Sequence, residues 1–187
     1  MAEERNERPL RHDRQSVIAC ALRLLDDVGL PDLSMRRLAT ELEVQPSALY
    51  WHFESKQQLL AAVADRILSA VGELDPSTTL EDAAQAILDA LLTYRDGAEV
   101  VMSTYALRLG AHGAQRALLG VLDGDQPAAD ALFEFILGHA TLLQQRMHAQ
   151  SIGAVAADAA DPAERSGEVF QAGLHAFSAV RSRRWLR

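Results

Sequence analysis

An all-α fold is what this sequence predicts, and three observations carry that expectation. Apolar residues recur at three- and four-residue spacing along almost the whole chain, the period that lines one face of an α-helix. Alanine and leucine dominate the apolar residues, whereas aromatic side chains make up only 5 %, so the composition favours helix formers. Serines that can cap a helix stand just ahead of two of the periodic runs. No sheet is expected. With 187 residues, 49 % of them apolar, the chain has room for one large or two small domains around a sizeable core.

The elements follow in order. Residues 1–12 read as a flexible arm, and the arginines at 5, 8, 11 and 14 could add phosphate or minor-groove contacts to whatever follows. A first helix runs from about Arg14 to Val28, with Val17, Ile18, Ala21, Leu22 and Leu25 turned inward and Gly29 as its stop. Cys20 lies on it. A lone cysteine excludes an internal disulfide and reads as a core thiol. Ser34 then caps a second helix whose apolar face is Leu33, Met35, Leu38, Ala39 and Leu42, with Arg36, Arg37, Glu41 and Glu43 opposite. Arg37 stands where a capping-box glutamate would, so this is a plain cap. Val44 and Pro46 break the pattern, because a residue before proline is pushed out of the helical region while proline suits a first helical position. The chain turns at about 43–45 and restarts as Pro46 to His52, with Leu49 as its one apolar anchor. So short a helix must lean on its neighbours and show its other side outward. Ser55 caps a longer amphipathic helix with Leu59, Leu60, Val63, Ile67, Leu68 and Val71 as its buried stripe.

Two helices joined by a tight turn, the second short and polar-aromatic, make a helix-turn-helix, the arrangement in which the second helix enters the major groove. Leu38, Ala39, Val44, Ala48, Leu49, Tyr50, Trp51, His52, Phe53, Lys56 and Leu59 together resemble the TetR family of bacterial repressors over about residues 14–71, most specifically in LYWHFESK. The resemblance implies a DNA-binding domain at 13–56 and a helical ligand-binding and dimerisation domain at 57–187. It also implies roles. Arg36 would reach a base edge, such as that of a guanine. Pro46, Ser47 and Ala48 would face bases, and Tyr50, His52 and Lys56 would hold phosphates. Trp51 could pack on the first helix or touch the DNA backbone. For Tyr50 and Trp51 a place in the core, and for Arg36 and Arg37 a solvated face, are the alternatives.

Beyond a break at GELDPSTT, helical patterns continue at about 80–95, 98–109, 115–122, 127–150 and 163–184, with joints at Gly97, Gly110, Gly124 and GAVAADAADP, the last reading as a mobile loop. Leu132, Phe133, Phe135, Ile136, Leu137, His139, Leu142 and Leu143 are apolar on more than one face, as are Val169, Phe170, Leu174, Phe177 and Val180. That is more than one small bundle can bury, and it points to a homodimer through the helices near 127–150 and 163–184. A two-fold axis would call for a palindromic double-stranded DNA operator. YRDGAEV at 94–100 and GHATL at 138–142 resemble the ligand domain of the tetracycline repressors of that family. This chain departs from it where it matters for a metal: Val101 stands in place of a metal-binding histidine, Met147 in place of a supporting carboxylate, and Ala83 in place of a ligand-holding asparagine. Valine cannot ligate a cation and methionine is too soft for magnesium. No metal and no cofactor are expected. The remaining candidates for a small-molecule effector site are Ile87, Leu91, Val101, Met102, Tyr105, Phe135 and His139, an apolar box with Tyr105 and His139 as polar handles.

An enzyme is not expected: six histidines fall in no metal-ligand spacing, and no phosphate-cradling glycine loop occurs. No apolar run is long enough to span a bilayer and no leader segment is visible, so a cytoplasmic protein without membrane contact is expected. The net charge is −8, and residues 1–56 hold 8 Lys/Arg against 10 Asp/Glu. DNA affinity would then rest on a few placed contacts rather than a broad positive field. That acidic balance keeps open a second reading, a dimeric helical small-molecule-binding or interaction protein without operator binding.

Overall fold

The computed structural model describes residues 12–72, 74, 75, 77–154 and 162–184. Its helices, among the described residues, are α1 (Arg14–Asp32), α2 (Met35–Glu41), α3 (Pro46–Tyr50), α4 (Lys56–Leu68), α5 (Leu80–Leu92), α6 (Gly97–Ala106), α7 (His112–Val121), α8 (Gln126–Ser151) and α9 (Pro162–Arg184), with a short 3₁₀ turn at Ser69–Val71. The arm at 1–11, most of the GAVAADAADP joint and the Val180 side chain lie outside the described residues.

Local chemistry sets the starts of α1, α2 and α4. Asp13 caps α1, its side chain accepting from the Ser16 N–H at 2.7 Å. That bond, with the Ser16 hydroxyl, holds the Asp13 carboxyl below its usual pKa. Ser34 caps α2 by accepting from Arg37 N–H, and Ser55 caps α4 by accepting from Gln58 N–H. Gly29 breaks α1 with φ 78° and ψ 171°, a conformation essentially reserved for glycine. The helix takes up one more turn beyond it, through Pro31 to Asp32.

Further along, tertiary bonds move boundaries that periodicity alone places elsewhere. Helix α5 stops at Leu92 rather than near Arg95. Gln144 on α8 captures the turn that follows, its amide donating to the Tyr94 carbonyl at 2.8 Å while its oxygen accepts from Ala98 N–H at 3.1 Å. Helix α7 starts at His112 rather than Gln115, because the Ala111 N–H is fixed on the Asp65 carboxylate of α4 at 3.0 Å. The α6–α7 turn comes close to α4 there: a Cβ on Gly110 would lie 3.3 Å from the Ala61 carbonyl oxygen.

The helices enclose one continuous core, from Val17 on α1 through Leu38, Phe53 and Ile67 to Ile87, Phe133 and Phe170. Helix α4 belongs to both ends of the molecule, packing on α1 and, more extensively, on α6. A second link is polar and reciprocal. The Asp26 carboxylate of α1 accepts from Arg95 N–H, and the Asp96 carboxylate accepts from Leu30 N–H, both at 2.8 Å. These two bonds tie the end of α1 to the α5–α6 turn.

Long apolar faces on α8 and α9 are largely used inside the chain itself. Leu132, Phe133, Ile136, Leu137, Leu143, Phe170 and Leu174 are all buried. The apolar surplus left for a partner is therefore smaller than the sequence pattern implies: Leu142 and Val169 are exposed, and Phe135, His139 and Phe177 are partly covered. Packing of α9 against α5 and α8 accounts for the difference.

Candidate nucleic-acid interface

Helix α3 has five residues, and Leu49 is its only buried one. The N–H groups of His52 and Phe53 both return to the Leu49 carbonyl at 3.0 Å, and Phe53 is wholly buried. Two anchors, Leu49 and Phe53, thus bracket Tyr50, Trp51 and His52 and decide which way they face. Trp51 is 83 % exposed and Tyr50 51 %, so neither is a core aromatic. Leaving two large rings in water forgoes the hydrophobic gain of burying them, which makes their exposure informative.

Around α3 the residues singled out from sequence fall on accessible positions. Pro46 and Ser47 are exposed, and Ala48, His52 and Lys56 are partly covered. Arg36 and Arg37 are exposed on α2. Among the described residues neither guanidinium has a side-chain partner, in contrast to Arg23, whose guanidinium lies 3.4 Å from the Glu41 carboxylate. Arg36 and Arg37 are thus left free to meet an external anion, as Arg23 is not. Arg14 departs from the arm reading. Its Nη1 donates to the His52 carbonyl at 2.8 Å, and its guanidinium carbon sits 4.3 Å from the centre of the Phe53 ring. His12 is likewise engaged, with Nε2 3.1 Å from the Leu42 carbonyl oxygen. No periodicity in the sequence reveals such contacts, since they join residues 30 and 38 positions apart.

In the body the seven residues expected to hold an effector occupy different surroundings. Ile87, Leu91 and Val101 are completely buried. Met102 is partly covered and packs against the core. Tyr105 meets Phe133 edge-on at 5.1 Å, and its hydroxyl lies 3.4 Å from Gln115 Nε2, which also donates to Asp130 at 3.2 Å. Burial, then the Asp130 and Glu134 carboxylates, push the Tyr105 phenol above its ordinary pKa, so it remains a donor. Phe135 and His139 sit instead against α9: Phe135 stacks on Phe170 at 5.7 Å, and His139 Nε2 is 2.8 Å from the Ser166 hydroxyl. Burial, with Arg146 second, lowers the His139 pKa and so favours the neutral ring. Sequence reasoning misses Thr141, whose hydroxyl is shielded from solvent with no hydrogen-bond partner among the described residues. It misses a cleft of about 560 Å³ beside the α5–α6 turn as well, lined by Tyr94, Arg95, Asp96, Gln144, Met147 and His148 among others. Among the described residues no group of three or more His, Cys, Asp or Glu gathers as a metal site would require, and no helix is long and apolar enough to cross a membrane.

Comparison with known proteins meets this geometry at the head. Residues 17–63 match the model of the bacterial regulatory proteins of the tetR family. The class C tetracycline repressor of Escherichia coli is 38 % identical over 127 residues, which are 64 % of this chain and 58 % of that protein. The chain spans about half the length of the curated relatives it matches. Among solved structures, BioQ of Mycobacterium smegmatis is 34 % identical with a TM-score of 0.75, covering 90 % of this chain and 99 % of that one. BioQ with its natural double-stranded DNA operator is 36 % identical with a TM-score of 0.64, covering 76 % and 93 %. With residues 17–63 matched by a family model and 90 % of the chain matched by a solved structure 34 % identical to it, the chain belongs to the tetR family of bacterial regulatory proteins.

Proposed function

We propose that this protein is a cytoplasmic repressor that binds a palindromic double-stranded operator as a homodimer and is released by a mostly apolar small molecule. The observation that carries the reading is the outward presentation of α3, with Tyr50 and Trp51 exposed while Leu49 and Phe53 hold it to the core. A relative of matching fold is seen with its operator, which supports the same use of this surface. On this reading Arg36 contacts a base edge, Pro46, Ser47 and Ala48 face bases, and Tyr50, Trp51, His52 and Lys56 sit on the backbone. Residues 13–56 form the reading head and 57–187 the effector and dimer body.

Dimerisation uses α8 and α9, with Leu142 and Val169 as outward apolar contacts. The effector lies among Ile87, Leu91, Val101, Met102, Tyr105, Phe135 and His139, and Thr141 offers a further unsatisfied polar group. Release is a linkage effect: the effector favours a body conformation that displaces the heads, and it shifts the balance only by its differential affinity for the two states. Helix α4 and the Asp26–Arg95 and Leu30–Asp96 bonds carry the change between the two ends.

Selection of bound duplexes from a random pool tests this. A recovered palindrome with half-sites about one helical turn apart is expected. Failure to enrich any sequence overturns operator reading and favours a dimeric ligand-binding protein.

A further inference from the structure

Arg14 stands at the first position of α1, where the helix macrodipole disfavours a cation. Helix stability therefore gives no reason for an arginine at this place. Its tertiary contacts do. Nη1 donates to the His52 carbonyl at 2.8 Å, and the planar guanidinium covers the Phe53 ring at 4.3 Å, a two-point grip that combines a charge-assisted hydrogen bond with a cation–π contact. His52 and Phe53 are the two residues that follow the C-cap of α3, Trp51. Across Asp13, His12 reaches the Leu42 carbonyl, which belongs to the C-cap of α2. The start of α1 thus holds a backbone carbonyl on each side of α3. A five-residue helix with one buried side chain cannot fix its own tilt.

We infer that Arg14 is a positioning residue of the reading head: it sets the pose of α3 through the His52 carbonyl and the Phe53 ring, and does not itself bind phosphate. The inference rests on the operator reading of α3 and adds to it a residue that acts without touching DNA.

The test compares wild type, Arg14→Lys, Arg14→Ala and Lys56→Ala of the full chain on the selected operator and on a scrambled duplex, over a salt series, with thermal unfolding alongside. Wild type must bind the operator with a steep salt dependence; if it does not, the underlying reading fails and Arg14 is not at issue. Given that binding, both Arg14 variants lose about tenfold in operator affinity, the size a charge-assisted hydrogen bond carries. They keep wild-type affinity for the scrambled duplex and an unchanged slope of log K against log salt. Lysine does not rescue, because an ammonium keeps the charge but not the planar fork. Lys56→Ala weakens both duplexes alike and lowers the slope by about one. Retention of full operator affinity in Arg14→Lys, with a slope lowered by about one in Arg14→Ala, would identify a phosphate contact and overturn the inference. A lowered melting temperature with an unchanged operator-to-scrambled ratio would reduce Arg14 to a merely structural residue and also overturn it. Should Arg14→Ala fail to fold, Arg14→Lys decides alone, since the two roles predict opposite results for it.

Discussion

In the head, Arg36, Arg37, Tyr50, Trp51 and Lys56 keep their functional groups unpaired among the described residues, whereas in the body Tyr105 is bonded to Gln115, Gln115 to Asp130, and His139 to Ser166. On the proposed reading, the difference follows from what each end would meet. A duplex arrives with its own charges and base edges, so a reader must leave donors open and hold them by a few buried anchors. On the same reading, a body that would enclose a small molecule keeps most of its polar groups satisfied internally, because an unpaired buried group is costly; the Thr141 hydroxyl is the exception among the described residues.

Four measurements can break or sharpen that contrast. The largest effect is expected at the anchor. Leu49→Ala should cost about 2–5 kcal/mol in denaturant unfolding and abolish operator binding, because α3 has no other buried residue. A loss well below 1 kcal/mol would show that the head does not hang on this side chain. Next comes the junction. Gly29→Ala should destabilise by about 1–3 kcal/mol through its backbone conformation. An added Cβ would also lie 2.8 Å from the Asp96 carboxylate, so the Leu30–Asp96 bond between head and body should weaken, seen as faster amide exchange at Leu30. Lys56→Ala should leave stability within about 0.5 kcal/mol while reducing the salt slope of binding, and a marked loss of stability instead would mean that Lys56 is engaged like the residues of the body.

The smallest effect concerns His139. Its folded pKa lies below the unfolded value of 6.5 because burial, and then Arg146, disfavour the charged ring. The unfolded chain therefore binds the proton first as pH falls. Stability is intact above about pH 6.5 and declines from there towards the lower folded value. Melting temperature followed from pH 8 to pH 5 should show this decline, and His139→Phe should flatten it. An unchanged profile in that variant would remove His139 from the account.

Legibility differs between the two ends for reasons that particular residues make plain. Ser34, Ser55, Gly29 and Pro46 act within a few residues of themselves, so the linear order alone locates the head's helices and turn. Tyr50 and Trp51 are harder, since an aromatic beside Leu49 can face either way until the packing of Leu49 and Phe53 chooses. In the body the helices are legible but their ends are not: Gln144 shapes a turn some 50 residues away, and Asp65 receives Ala111 across 46. The proposed effector box rests on helical spacing and family likeness, neither of which tells that Phe135 and His139 sit against α9 while Tyr105 joins Gln115.

By itself, then, the sequence determined the all-α class, the capped helices of the head and the likeness that identifies its family, because caps, breakers and periodicity act through neighbouring atoms. Only the tertiary structure decided that α9 covers much of the apolar surplus, that Asp26 and Asp96 lash α1 to the α5–α6 turn, and that Arg14, though exposed, lies across the Phe53 ring and bonds to the His52 carbonyl. Those outcomes depend on which distant apolar faces pack together and which distant backbone groups come within about 3 Å of a side chain, and the linear order of residues does not contain those distances.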